Sequence, residues 1–126
     1  SESDFISLHC PLTAQTHHLI TLTELALMKS TAYLINTARG KLINEADLLE
    51  SLITGRIAGA ALDVLSEEPP AQGNVLLTYP HPNLIITPHI AWTSQAARQC
   101  LLDKIADNIP RFFQGKPYNQ VLEQSE

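Results

Sequence analysis

Ala32-Tyr33-Leu34-Ile35-Asn36 and Ile57-Ala58-Gly59-Ala60-Ala61-Leu62-Asp63-Val64 bracket the segment that decides the fold. Both are unbroken apolar runs, the pattern of strands buried within a sheet rather than the alternation of a half-exposed one. Between them Asn44 is suited to cap a helix. Leu48, Leu49, Leu52 and Ile53 recur at three- and four-residue spacing, which predicts a helix over residues 45–54 with Gly55 as its stop. Strand, helix and strand in succession form a βαβ unit, which requires parallel pairing. The small residues around Gly59 suit a tightly covered central strand.

The same alternation continues on both sides. Upstream, residues 4–10 read as a strand that ends at Pro11, and residues 22–29 read as a helix, with Thr21 and Glu24 spaced as a capping box. Downstream, a polar, Pro-rich loop runs through Asn74, and residues 83–88 form a fourth strand. Ser94 then caps a long helix reaching about Gln114, with Leu101, Leu102, Ile105, Ile109, Phe112 and Phe113 as its apolar stripe. Pro110 within it predicts a kink or a break, and the tail from Gly115 lacks periodicity. The whole reads as an α/β layered domain whose parallel sheet is covered on both faces. In such sheets ligands gather at the carboxyl ends of the strands.

A length of 126 residues, 44% of them hydrophobic and 17% charged, fits one globular domain. A formal charge of -5, with basic residues scattered, argues against a nucleic-acid partner. No apolar stretch reaches the roughly 18 residues of a membrane span. The polar, acidic start Ser1-Glu2-Ser3-Asp4 is neither a secretory signal nor a transit peptide. The missing initial Met is what a processed or truncated product would show. Cys10 and Cys100 make no metal or redox motif, and both are expected to be buried small hydrophobes in a reduced, cytoplasmic protein. No metal site is expected.

Three residues, each past the end of an expected strand, are candidates for chemistry: Arg39, Glu68 and His89. Arginine presents a planar fork that matches a carboxylate bidentately. Histidine moves protons near neutral pH, and a carboxylate beside an imidazole favours its protonated form. Together they have a chemical logic: arginine binds an acid substrate, glutamate sets the protonation of histidine, and a proton donor near neutral pH is what carbonyl reduction requires. Singly, each has a plainer reading: a surface arginine, a solvated acidic loop, a structural histidine. His9, His17, His18 and His81 show no ligand spacing and suit surface or packing roles. Trp92 either packs over a ligand or fills the edge of the core.

Four stretches together resemble the D-isomer-specific 2-hydroxyacid dehydrogenase family: Leu8-His9-Cys10-Pro11-Leu12-Thr13, Leu34-Ile35-Asn36-Thr37-Ala38-Arg39-Gly40, Gly59-Ala60-Ala61-Leu62-Asp63-Val64 with Glu68-Pro69, and Thr87-Pro88-His89-Ile90-Ala91-Trp92. They occur in order and at family-like spacing over nearly the whole chain. The resemblance implies half of a Rossmann-type doubly wound sheet of about four strands with a long C-terminal helix. Residues 1–93 would be the C-terminal half of the NAD(P)-binding domain, and 94–126 the helix and tail returning toward a substrate domain. It also implies that Arg39 binds the substrate carboxylate and polarises its carbonyl. His89 would be the acid/base, hydrogen-bonded to Glu68, the glutamate directly before a proline. NAD or NADP would meet Cys10, Thr37, Ala38, Arg39, Asp63, His89, Ala91 and Trp92, with Asp63 accepting from the carboxamide. The substrate would be a small 2-keto or 2-hydroxy acid, and hydride would pass between it and the nicotinamide. Glu68 argues against the formate dehydrogenase branch, which has glutamine there. The segments 73–76, 82–85 and 107–121 resemble the glycerate dehydrogenase/hydroxypyruvate reductase branch. Glyoxylate reductases and carboxyl-terminal-binding corepressors share much of this region.

The family's members are longer, two-domain proteins. Gly40, Gly55, Gly59, Gly73 and Gly115 are too dispersed for a Gly-x-Gly-x-x-Gly fingerprint. The pyrophosphate turn and the acidic ribose ligand are therefore expected outside this chain, with the substrate domain. Half of a doubly wound sheet has a cut edge, which predicts self-association and a homodimer. Catalysis by the chain alone is not expected. A cofactor-sensing corepressor-like module and an inactive truncated remnant stay open as alternatives.

Overall fold

The computed structural model describes residues 2–80 and 82–120. Strands β1 (Phe5–Leu8), β2 (Tyr33–Asn36), β3 (Gly59–Leu62) and β4 (Leu84–Ile86) pair in that order, and every pair is parallel. Helix α1 (Leu22–Ala26) lies between β1 and β2 in sequence, and α2 (Glu45–Ile53) lies between β2 and β3. A single 3-10 turn, Gly40–Leu42, follows β2, and α3 (Gln95–Phe113) comes last. Residues 1–91 form one compact unit and residues 92–126 a second.

The helices of the first unit begin where polar side chains replace missing intrahelical partners. Thr21 and Glu24 form the expected reciprocal capping box on α1. Asn44 caps α2 by accepting from the amides of Ala46 and Asp47 at 3.1 and 3.3 Å. Asp47 accepts in turn from the amide of Leu22 at 2.9 Å, tying the two helix starts together. The chain leaves α2 through Gly55 at φ +66°, a left-handed turn suited to glycine.

The core lies on one face of the sheet. Leu8, Leu34, Ala60 and Leu62 meet Leu25, Leu48 and Leu52 from the helices, all buried. The opposite face, carrying Phe5, Tyr33, Ile35, Ala61 and Ile85, is a shallow apolar hollow of about 360 Å³. Phe5, Tyr33 and Ile85 are exposed on it. The expectation of a sheet covered on both faces is thus corrected: within this chain α1 and α2 supply cover for one face. At β3, glycine is required by close approach. A Cβ on Gly59 would stand 2.6 Å from the carbonyl oxygen of Asn83 and 2.9 Å from the Tyr33 ring.

Three further expectations change. The strands are shorter than their apolar runs, because the ladder ends where the neighbouring strand ends. Of the kink or break expected at Pro110, the break does not occur, since α3 continues to Phe113. The proline sits in the last turn, where the missing N–H costs a single bond. Cys100 is exposed on α3 and Cys10 is half-buried, so neither is a buried hydrophobe. No residue of α3 is buried, and its stripe of Leu101, Leu102, Ile105, Ile109, Phe112 and Phe113 is open. His81 and Val121 lie outside the described residues. Among the described residues no helix is long and apolar enough to cross a membrane.

Candidate functional site

The carboxyl ends of the four parallel strands point the same way, so the loops that follow them converge. Cys10 comes after β1, Arg39 after β2, Asp63 and Glu68 after β3, and His89 after β4.

Past β2 the chain turns on Asn36, which is fully buried. Its amide nitrogen donates to the carbonyl of Arg39 at 2.9 Å, and its amide oxygen accepts from the Ala38 N–H at 3.0 Å. This side chain satisfies both sides of the turn and delivers Arg39 outward. Arg39 is exposed, and its Nη1 donates to the Ala38 carbonyl at 2.7 Å. Among the described residues it forms no ion pair.

Past β3, Glu68 accepts from the Leu65 amide through Oε1 at 2.8 Å and meets His89 Nδ1 through Oε2 at 2.8 Å. Its neighbour Glu67 is exposed. The His89 side chain is 46% exposed. His89 sits at φ +55°, a left-handed conformation that a residue with a Cβ adopts at a cost of about 1 kcal/mol. Its amide donates to the carbonyl of Asp63 at 2.9 Å, which holds that conformation.

Asp63 is the anchor of the segment around His89. Its buried carboxylate accepts from the Thr87 hydroxyl and the Ile90 amide on Oδ1, and from the Ala91 amide on Oδ2. Burial opposes the charge, but those three donors and the nearby His89 outweigh it, and the carboxyl is held below its usual range. Asn36, Thr87 and the double amide grip of Asp63 escaped sequence reasoning. The partners of Asp63 lie 24 to 28 residues away, and no local pattern announces them.

A trough follows the strand ends. One cavity of about 480 Å³ is walled by Cys10, Leu12, Thr37, Ala38 and Arg39. A smaller one of about 230 Å³ shares Leu12 and Arg39 with it and is also lined by Leu65 and Glu68. A third, of about 480 Å³, shares Leu65 and Glu68 and extends past His89 along Pro69, Leu77 and Ile86. Arg39 and Glu68 therefore border a common space, with His89 against Glu68. The main chain sets this spacing: a Cβ on Gly40 would fall 1.9 Å from the Leu65 carbonyl carbon. Trp92 is exposed and begins the second unit. Among the described residues no cluster suits a metal.

The residues at one end of the trough fit the nicotinamide part of a dinucleotide. Thr37 is exposed beside Arg39, and Oδ2 of Asp63 accepts from the Ala91 amide, a carboxylate oxygen having two lone pairs. No glycine-rich phosphate turn accompanies them in this sequence.

Comparison with known proteins agrees with this geometry. The sequence model of the D-isomer specific 2-hydroxyacid dehydrogenase, NAD binding domain, matches residues 1–91. The chain is 50% identical over 121 residues to a glycerate dehydrogenase of Methylorubrum extorquens, covering 96% of this chain and 38% of that protein. It is 42% identical over 121 residues to a hydroxypyruvate reductase of Blautia hydrogenotrophica, covering 96% of this chain and 37% of that protein. Among solved structures, an acyclic imino acid reductase in complex with NADPH and D-Arg superposes with a TM-score of 0.85 at 40% identity, over 96% of this chain and 38% of that one. The chain thus spans less than two-fifths of the length of these proteins. By its strand order, its strand-end loops and its sequence, this chain belongs to the D-isomer specific 2-hydroxyacid dehydrogenase family, within the NAD binding domain.

Proposed function

We propose that the protein carrying this chain is an NAD(P)-linked reductase of a small 2-oxo acid such as hydroxypyruvate or glyoxylate, with Arg39, Glu68 and His89 as its working groups. The observation that carries this reading is the 2.8 Å contact of Glu68 Oε2 with His89 Nδ1, in a trough that Arg39 also lines. The family and the relatives named glycerate dehydrogenase and hydroxypyruvate reductase support the substrate class.

An ionised carboxylate only accepts, so Glu68 requires the proton on Nδ1 of His89. Nε2 is then the ring atom that hands a proton to a substrate oxygen and takes it back in the reverse direction. Arg39 keeps its remaining N–H groups for a substrate carboxylate, where two parallel bonds fix orientation as well as charge. Cys10, Thr37, Ala38, Asp63, Ala91 and Trp92 are proposed on the cofactor side. The bound nicotinamide supplies or receives the hydride. We also propose a homodimer, which the open apolar stripe of α3 supports.

The test is oxidation of NADH and NADPH by the full-length protein with hydroxypyruvate and glyoxylate. His89→Ala is expected to abolish turnover while cofactor affinity, read by fluorescence titration, is unchanged. Arg39→Ala is expected to raise KM for the acid about a hundredfold. Undiminished turnover by the His89 variant sinks the acid/base role.

A further inference from the structure

Glu45 opens α2, a place where a carboxylate also complements the positive end of the helix. Its side chain reaches beyond the helix. Oε1 accepts from the Ser66 amide at 2.7 Å, and Oε2 accepts from the Ser66 hydroxyl and from Nδ2 of Asn74, each at 2.7 Å. Asn74 closes its own turn by accepting from the Leu76 amide at 2.9 Å. One carboxylate thus grips two points, Ser66 and Asn74, on the loop that leaves β3. Ser66 is also confined from another side, where the Gly40 backbone abuts Leu65 and Ser66 too closely for any Cβ. Two residues beyond Ser66 stands Glu68, held by the Leu65 amide and in contact with His89.

We infer that Glu45 is a positioning residue for the acid–base pair: by clamping Ser66 and Asn74 it fixes the loop that holds Glu68 against His89, without touching substrate or cofactor. The inference rests on the proposed role of Glu68 and His89. The chemistry demands a carboxylate, because three donors converge on this side chain and only an acceptor-only group satisfies all of them. Glutamine has nearly the same shape but turns an N–H₂ toward one of those donors. Asp47, two residues along the same helix, supplies a control. It too is a carboxylate in the first turn, but it holds the Leu22 amide at the start of α1. Neutralising it perturbs the same helix end with no path to Glu68.

The experiment uses the full-length protein with Glu45→Gln, Asp47→Asn, Glu68→Gln and the Glu45→Gln/Glu68→Gln double variant. Glu45→Gln is expected to lower kcat about tenfold while KM and cofactor affinity stay within about twofold. In the Glu68→Gln background the same change is expected to cost less than about twofold, because the path it acts through is already cut. Asp47→Asn is expected to leave kcat unchanged. By NMR, the His89 imidazole Cε1–H resonance of Glu45→Gln should move toward its position in Glu68→Gln. An equal loss in both backgrounds, a matching loss in Asp47→Asn, or an unmoved His89 resonance overturns the inference. If the wild-type protein reduces no 2-oxo acid, the proposed function falls, and the His89 resonance still decides whether Glu45 sets the pair.

Discussion

Asp63 follows β3 with 3% of its surface exposed, a setting that by itself resists a charge. Its carboxyl is nevertheless held below the usual range, because the Thr87 hydroxyl, the amides of Ala91 and Ile90, and His89 outweigh the burial. A carboxyl with a folded value below its unfolded one stabilises the fold above the unfolded value, and loses that contribution as pH falls through the folded value. Asp63→Asn keeps the shape but turns an amide nitrogen toward one of those donors. At pH 7 it is expected to cost about 1–3 kcal/mol in thermal or urea unfolding. Below about pH 4 the gap between variant and wild type should narrow. A gap that stays constant through acid would show that the charge on Asp63 contributes nothing. The sequence announced Arg39, Glu68 and His89 because each follows an apolar strand and carries distinctive chemistry. It did not announce Asn36, Thr87 or Glu45. Asn36 acts through two backbone bonds inside a turn, and Glu45 through partners 21 and 29 residues away.

The short turn between β2 and α2 leaves no room for a side chain at Gly40. Gly40 starts the 3-10 turn at φ-neutral cost, but its missing side chain lets the backbone lie against Leu65 and Ser66. Gly40→Ala must push apart the segments that carry Arg39 and Glu68. We expect a loss of about 3 kcal/mol in unfolding free energy, well above the roughly 1 kcal/mol expected from removing the α2 cap in Asn44→Ala. Equal losses would mean that the two loops separate freely. Both helix starts in this unit were readable in the sequence, since capping is local: Thr21 with Glu24, and Asn44, sit within three residues of the groups they satisfy. Strand ends were overrun, because apolar runs record burial while ladder length is set by the partner strand. The 3-10 turn was missed, since three residues are too few to show a period.

The first unit as a body has one finished face and one open one. Phe5, Tyr33 and Ile85 stand 67%, 44% and 62% exposed on the uncovered side of the sheet, an apolar surface of the kind that draws a partner. The 126-residue chain by itself is expected to show a concentration-dependent mass in sedimentation, and Phe5→Lys with Ile85→Lys to shift it toward monomer. A chain that stays monomeric without those changes would show that this face is tolerated in water. The two sides of the sheet also explain what the sequence left ambiguous: a buried run of residues reads identically whether its cover comes from this chain or from elsewhere. The junction at Gly40 has a different bearing, on heredity. Two main chains in contact share no side chain that a mutation can remove. So long as position 40 carries no side chain, the neighbouring side chains of either loop can change from one descendant to the next while the spacing between Arg39 and Glu68 is inherited intact.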